Sequence, residues 1–302
     1  MRPRLELLTG KGGVGKTTLT VALAMHAARG GRRPLIVELG HRASVRAVVG
    51  DVEVGHEPTD VGHGVYALSV DVDDAILGYA AAQLRVKALA RAVVSGRALS
   101  GFLRAAPAVS EVATYHYLSA LLAETRKGQP RWDPILVDLD ATGHALMFLE
   151  LPRVLDGLLG KGPLRGMLET FSASLEDREQ TALHLVTLAK ELPVEETESL
   201  SRILNEQHRV ALGSIFVNRI PTPALAPRHA PAREMLEALG DPGIDADLAL
   251  LARAETERAR AMALVDRLRA LPEPVVTLPR LDHPMDADAL AALGARAAGG
   301  AS

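Results

Sequence analysis

The sequence predicts an α/β fold in which a mostly parallel sheet is flanked by helices on both faces. Three observations predict it. Short β-branched runs alternate with longer segments of helical spacing along the whole chain. Apolar residues make up 48% of the composition but aromatics only 3%, so the core must rest on Leu, Val, Ile and Ala, which suits helices packed on a buried parallel sheet. A glycine-rich turn separates the first strand from the first helix, as in a phosphate-binding strand–loop–helix unit.

The elements follow in order. Residues 5–8 read as a strand, and 16–29 take helical spacing that stops at Gly30-Gly31. Residues 34–39 (PLIVEL) form a buried strand and 65–70 another. A helix is predicted over 73–94, with Ile76, Leu77, Ala80, Leu84 and Leu89 along one side, and a second over 110–124. Residues 135–138 are a short buried strand that ends in an acid. Two more strands, 183–188 (LHLVTL) and 212–217 (LGSIFV), enclose a helical segment at 194–207. A long polar helix over about 246–270 precedes the last strand, 275–278, and an Ala/Leu helix over 286–298 follows it. The mixed charges of 253–269 read as a solvated helix face. The loops at 56–64 and 221–231 are too short to part domains. Residues 1–302 are therefore expected to form one domain, with helical subregions at 73–130 and 145–180.

Composition narrows the function. The 34 Lys and Arg against 37 Asp and Glu give a net charge of −3, with no overall pull toward nucleic acid or acidic lipid. No apolar run approaches the roughly 20 residues of a membrane-spanning helix, and the first residues lack the apolar stretch of a signal peptide, so a cytoplasmic protein is expected. With no cysteine, thiolate metal sites, disulfides and cysteine nucleophiles are excluded. His56, His63 and Glu57 share a loop, but not at the spacing of a zinc hydrolase.

The decisive segment is Gly10-Lys11-Gly12-Gly13-Val14-Gly15-Lys16-Thr17-Thr18, which matches G-x-x-x-x-G-K-[ST] at every fixed position. Glycines at 10, 12, 13 and 15 let the backbone curl and turn its N–H groups inward. Those donors, with the positive end of the following helix, make an anion nest. The Lys16 ammonium is expected to reach the β- and γ-phosphates of ATP. The Thr17 hydroxyl is expected to hold Mg2+, a cation that demands hard oxygen ligands.

With its extra lysine, Lys-Gly-Gly-x-Gly-Lys-Thr-Thr resembles the deviant Walker A class of P-loop NTPases, which includes the MinD/ParA-type ATPases, the nitrogenase iron protein and the arsenite-pump ATPases. That resemblance implies a dimer in which Lys11 crosses to the partner's nucleotide, where a cation offsets charge developing in phosphoryl transfer. Residues 137–152 (VDLDATGHALMFLELP) resemble the switch II stretch of the arsenite-pump and tail-anchored-protein-targeting ATPases. Residues 183–197, Ala106-Pro107 through Glu111, and Val217-Asn218-Arg219 resemble further stretches of that family, the last being associated with adenine recognition. The resemblance implies that Asp138 orders a Mg2+-bound water and that Gly143 moves to the γ-phosphate as a switch. Asp140, where the family often has Pro, is either an unassigned acid or a helix cap.

Two departures qualify the resemblance. The family's switch I usually carries Asp-Pro-Ala, whose Asp helps position the attacking water. Here residues 38–44 read ELGHRAS, and Glu38 is the nearest carboxylate. Nucleotide binding is thus more firmly expected than brisk hydrolysis. One phosphate loop in 302 residues implies a homodimer, or a heterodimer with a paralogous chain, rather than the fused pump form. The apolar spacing from Met147 to Phe171 is either a groove for a protein client or a packed face. The expectation is a Mg2+-dependent ATPase that acts on a protein partner by dimer switching. The alternatives are a nucleotide-gated binding module with little hydrolysis and a MinD/ParA-like positioning ATPase. The final helix lacks the basic flank that a membrane-docking helix needs.

Overall fold

Leu5–Thr9 (β1) runs through the middle of an eight-stranded sheet. In this computed structural model, which describes residues 3–39, 44–50, 52–70, 109–139, 145–146, 148–150, 163–207, 210–224, 230–239, 242–282 and 284–300, the other strands are β2 (Leu35–Leu39), β3 (Thr59–Asp60), β4 (Tyr66–Val70), β7 (Ile135–Asp138), β8 (Thr181–Leu188), β9 (Leu212–Ile220) and β10 (Val275–Pro279). A two-stranded hairpin, β5 (Thr125–Arg126) with β6 (Gln129–Pro130), lies apart from it. The strand order is β10-β9-β8-β1-β7-β2-β4-β3, parallel throughout except for the antiparallel β3–β4 pair. The chain leaves β1 toward β2 and β4 on one side and later builds β8, β9 and β10 on the other. The loop after β1 therefore stands where the order reverses, the place at which open parallel sheets bind ligands.

Each central strand is buried on both faces, and the period of two divides its side chains between two cores. Leu5, Leu7, Leu35, Val37, Ile135 and Val137 face one core, together with Tyr115 and Leu118 of α3 (Val109–Ala123), Phe171 of α4 (Pro163–Glu176), Val194 of α5 (Glu191–Gln207) and Val265 of α7 (Pro242–Leu268). Leu8, Ile36, Leu136 and Val186 face the other, with α1 (Lys16–Arg29), Val45 of α2 (Ser44–Val49) and α8 (Ala287–Gly300). A Leu buried this way contributes about 1.5–3 kcal/mol relative to an exposed one. The aromatic poverty is met by clustering: Tyr115 packs against Phe148 and Phe171 at ring separations of 4.5 and 4.6 Å.

The long polar helix is α7. Ala261, Val265 and Leu268 recur on its buried stripe while the charged residues between them stay in solvent, as the sequence pattern predicts. The final Ala/Leu helix is α8, whose small side chains let it lie against α1; a Cβ on Gly294 would meet the Ala22 carbonyl oxygen at 2.0 Å. Its apolar face is thereby occupied within the chain. Of the apolar 147–171 stretch, Phe148, Leu149, Leu168 and Phe171 are core side chains; Met147 and the Leu151–Leu159 part lie outside the described residues. So do the predicted 73–94 helix and Ala106-Pro107. The short elements α2, β3, the β5–β6 hairpin and α6 (Ala230–Glu237) have no counterpart in the sequence reading. Among the described residues, no helix is long and apolar enough to cross a membrane.

His184 in β8 is buried in the sheet interior, where its Nδ1 accepts the Ser214 N–H at 3.0 Å. Burial pushes its pKa down from 6.5 to about 4. Glu6 stands 3.7 Å from its Nε2, but a ring with that pKa is neutral at pH 7, so the contact is no ion pair there. The unfolded chain takes up this proton below pH 6.5 and the folded one only near pH 4. Stability held above pH 6.5 is lost as pH falls through that window, by about 3 kcal/mol at its lower end. Urea unfolding at pH 7 and pH 4.5 is expected to show this loss, and His184→Gln is expected to flatten it.

Candidate functional site

The loop between β1 and α1 is shaped by contacts that glycine alone permits. Gly10 has φ +149° and sits so close to β8 that a Cβ would lie 2.0 Å from the Val186 carbonyl oxygen. Gly15 has φ +97°, and a Cβ there would meet Asn218 Nδ2 at 2.4 Å. Gly12 differs from the expectation: it is absent from the positive-φ glycines, and a Cβ on it would meet nothing within 4 Å. Gly15 enters α1 without a side-chain cap, and the first turn of that helix carries no acid, so its N–H groups face the loop.

An open cavity of about 250 Å3 lies over this loop. Gly12, Gly13, Gly15, Lys16, Thr17 and Thr18 form its floor. Glu38 of β2, Asp138 of β7 and Arg219 of β9 form its walls, with Ser44 and Leu139 beside them. Lys16 Nζ donates to the carbonyls of Gly10 at 2.9 Å and Lys11 at 3.3 Å, which arches the ammonium back over the loop. The Thr17 hydroxyl donates to Asp138 Oδ2 at 2.5 Å. Asp138 is 8% exposed and stands beside Glu38 in the β2–β7 register. Two carboxylates and a hydroxyl thus meet at the cavity edge, a set of hard oxygen donors that fits a magnesium ion.

Glu38 has a second engagement. Its Oε1 accepts the N–H groups of Ser44 at 2.6 Å and Val45 at 3.3 Å, so it caps the first turn of α2 from the preceding strand. Burial raises its pKa, the Asp138 charge adds to the rise, and the two N–H groups oppose it. Lys11 lies outside the cavity. Its ammonium makes a 2.7 Å ion pair with Glu196 of α5 in the same chain, both side chains being about two-fifths exposed. Val14 is buried, and its carbonyl accepts a hydrogen bond from Asn218 Nδ2 at 2.9 Å. Asn218 Oδ1 accepts the Arg219 N–H at 2.9 Å and holds Arg219 at φ +56°. Asn218 and Arg219 also border an adjoining cavity of about 720 Å3 between the ends of β8 and β9 and the flank of α7. Together the two spaces reach the size of small-molecule sites, about 300–1,000 Å3. Gly143, Asp140, His144, His41 and Arg42 lie outside the described residues.

The structure thus brings together the loop, Lys16, Thr17, Asp138, Glu38 and Arg219, and sets Lys11 apart. Ser44 and Glu196 were missed by sequence reasoning. Ser44 follows an acid at a distance no capping pattern covers, and Glu196 lies 185 positions from its partner.

Comparison with known proteins bears on this site. A family model described as anion-transporting ATPase matches residues 4–164. The ATPase BagA of Mycobacterium tuberculosis is 32% identical over 252 residues, which cover 81% of this chain and 71% of that protein. An arsenical pump-driving ATPase of Escherichia coli is 30% identical over 249 residues, covering 74% of this chain and 42% of that protein. The ATPase ASNA1 homolog 1 of Paramecium tetraurelia is 26% identical over 153 residues, half of this chain and 44% of that protein.

Proposed function

Since the chain belongs to the anion-transporting ATPase family, we propose that it couples Mg2+-dependent ATP hydrolysis to opening and closing of a dimer that acts on a protein partner. An ATPase of this family binds nucleotide, and the carrying observation is the convergence of Gly12, Gly13, Gly15, Lys16 and the Thr17–Asp138 pair on one cavity. In this reading the loop N–H groups and the Lys16 ammonium hold the β- and γ-phosphates. Thr17 and Asp138 would hold Mg2+, whose charge offsets that of the phosphate oxygens. Gly143 acts as the switch at the γ-phosphate, and residues 1–302 work as one unit with helical subregions at 73–130 and 145–180. Asn218 and Arg219 serve the nucleoside end, with Asn218 also tying β9 to the loop through Val14.

The dimer, of two copies or with a paralogous chain, is supported by Lys11. Its present partner is a half-exposed carboxylate, and exposed ion pairs hold by about 0–1 kcal/mol. Exchange of Glu196 for a partner's phosphate is therefore energetically open. Apolar side chains at Met235 and Leu239, 72% and 66% exposed, also favour a protein contact. The reading with little hydrolysis draws on Glu38, which already caps α2 and is one of two carboxylates lining the cavity among the described residues. The positioning-ATPase reading is weakened by α8, whose apolar face is buried on α1.

The test is the ATPase rate per chain against protein concentration. The rate is expected to rise with concentration as dimers form, and Lys11→Ala to lower the plateau by about 10- to 100-fold. A rate per chain independent of concentration and untouched by Lys11→Ala would remove the dimer mechanism.

A further inference from the structure

We propose that Glu196 is an inhibitory latch on Lys11, which keeps the lysine at home in the resting chain and so sets the concentration at which the dimer closes. The inference rests on the dimer reading above and adds to it the residue that opposes closure. The Lys11 ammonium and the Glu196 carboxylate meet at 2.7 Å, and among the described residues neither side chain has another partner. Of the other acids on the first two turns of α5, Glu191 and Glu198 are paired with Arg267 of α7 at 2.7 and 2.8 Å, and Glu195 is exposed. Glu196 is thus the carboxylate of this helix that is given to the phosphate loop.

The seat of the latch is fixed on both sides. On the loop side, Gly10 packs so close on β8 that a Cβ would lie 2.0 Å from the Val186 carbonyl oxygen, which sets the backbone one residue before Lys11. On the helix side, Val194 is fully buried, and the hydroxyls of Thr187 and Thr197 both donate to the Pro193 carbonyl, at 3.1 and 2.8 Å. These bonds pin the first turn of α5 to the end of β8. The space left between loop and helix is about 10 Å3, at the lower limit of what one water needs. Glu196 therefore cannot follow Lys11, and opening the latch is a swing of the lysine side chain. Residue 11 is held at a second point, since its carbonyl accepts the Lys16 ammonium at 3.3 Å. A phosphate in the cavity competes for that ammonium. Nucleotide in a chain's own site thus loosens the loop at residue 11, while nucleotide in the partner's site draws the Lys11 side chain away. The strength of the contact suits a threshold rather than a block. Both side chains are about two-fifths exposed, and exposed ion pairs shift an equilibrium by at most about fivefold. A dimer of two copies opens two latches, which makes up to about 25-fold.

The first arm of the test needs neither dimer nor nucleotide. The nucleotide-free full chain is pulsed with an amine-acylating reagent, and labelling at Lys11 is read by peptide mass spectrometry. Glu196→Gln is expected to raise that rate by up to about fivefold and to leave labelling at Lys190 unchanged. The second arm is the ATPase rate per chain against protein concentration. Glu196→Gln is expected to lower the half-saturating concentration by about 3- to 25-fold and to leave the plateau in place, because it frees Lys11 without touching the phosphate cradle. Glu195→Gln removes the same charge one position away and is expected to leave the half-saturating concentration where it was. The double variant Lys11→Ala/Glu196→Gln is expected to behave as Lys11→Ala, with no lysine left to free. The proposal is overturned if Glu196→Gln leaves Lys11 labelling at the parent rate. It is also overturned if the parent rate depends on concentration but Glu196→Gln does not move the midpoint, if Glu195→Gln moves it as far, or if the double variant departs from Lys11→Ala. A parent rate independent of concentration instead overturns the dimer reading, and the latch with it.

Discussion

Replacing Lys16 with alanine is expected to weaken ATP binding by about 10²- to 10⁴-fold while the fold stays intact. The size follows from what the ammonium does. It is held over the loop by the Gly10 and Lys11 carbonyls, so it is already aimed at the cavity when a phosphate arrives. Charge-assisted hydrogen bonds of this kind contribute about 1.5–3 kcal/mol each, and truncating one partner of a desolvated charge pair costs about 2–5 kcal/mol. The fold is spared for two reasons: Lys16 opens α1 and is only partly buried, and alanine is the best helix former. Calorimetry with ATP and a thermal melt on the same sample decide it. Unchanged affinity would defeat the site assignment, and a collapsed melt would mean that the lysine is structural.

What could be read in advance was whatever the chain encodes locally. Apart from one acid each, the runs at 5–8, 34–39 and 135–138 are apolar because parallel strands are covered on both faces, and the helix at 16–29 has its stop signal at Gly30-Gly31 beside it. The loop was legible because its shape depends on glycines within a few positions of one another. What escaped the sequence depends on distant residues. The helix α2 has six residues and draws its cap from Glu38 on the previous strand, so the carboxylate matched to a water-positioning acid is occupied in holding a helix. Asn218, matched to adenine recognition, reaches 204 positions back to Val14 and packs on Gly15. Lys11 finds Glu196 the same way. The apolar 147–171 spacing fitted a groove and a core equally well, because a periodic stripe says that a face is covered but not by what; Phe148 and Phe171 are covered by Tyr115 of α3.

Asp138→Asn is expected to lower the ATP hydrolysis rate by about 10²- to 10³-fold and, more tellingly, to erase the preference for nucleotide with magnesium over nucleotide alone. Asp138 ends a strand buried among β1 and β2, and its position is fixed by backbone pairing rather than by a flexible loop. It takes the Thr17 hydroxyl at 2.5 Å and stands beside Glu38, whose pKa burial raises and the Asp138 charge raises further. Two acids side by side at the edge of a phosphate cradle would repel an incoming triphosphate unless a cation came with it. Asparagine keeps the shape and removes one negative charge. The variant should therefore bind metal-free ADP at least as well as the parent, and gain nothing from added Mg2+. Thr17→Ala should lose the same preference, and the double variant should lose little more than either single one, since the two act as a unit. An Asp138→Asn chain that still bound ADP more tightly with Mg2+, by the parent's ratio, would place the metal on other residues and leave the Thr17–Asp138 pair a structural tie between α1 and β7.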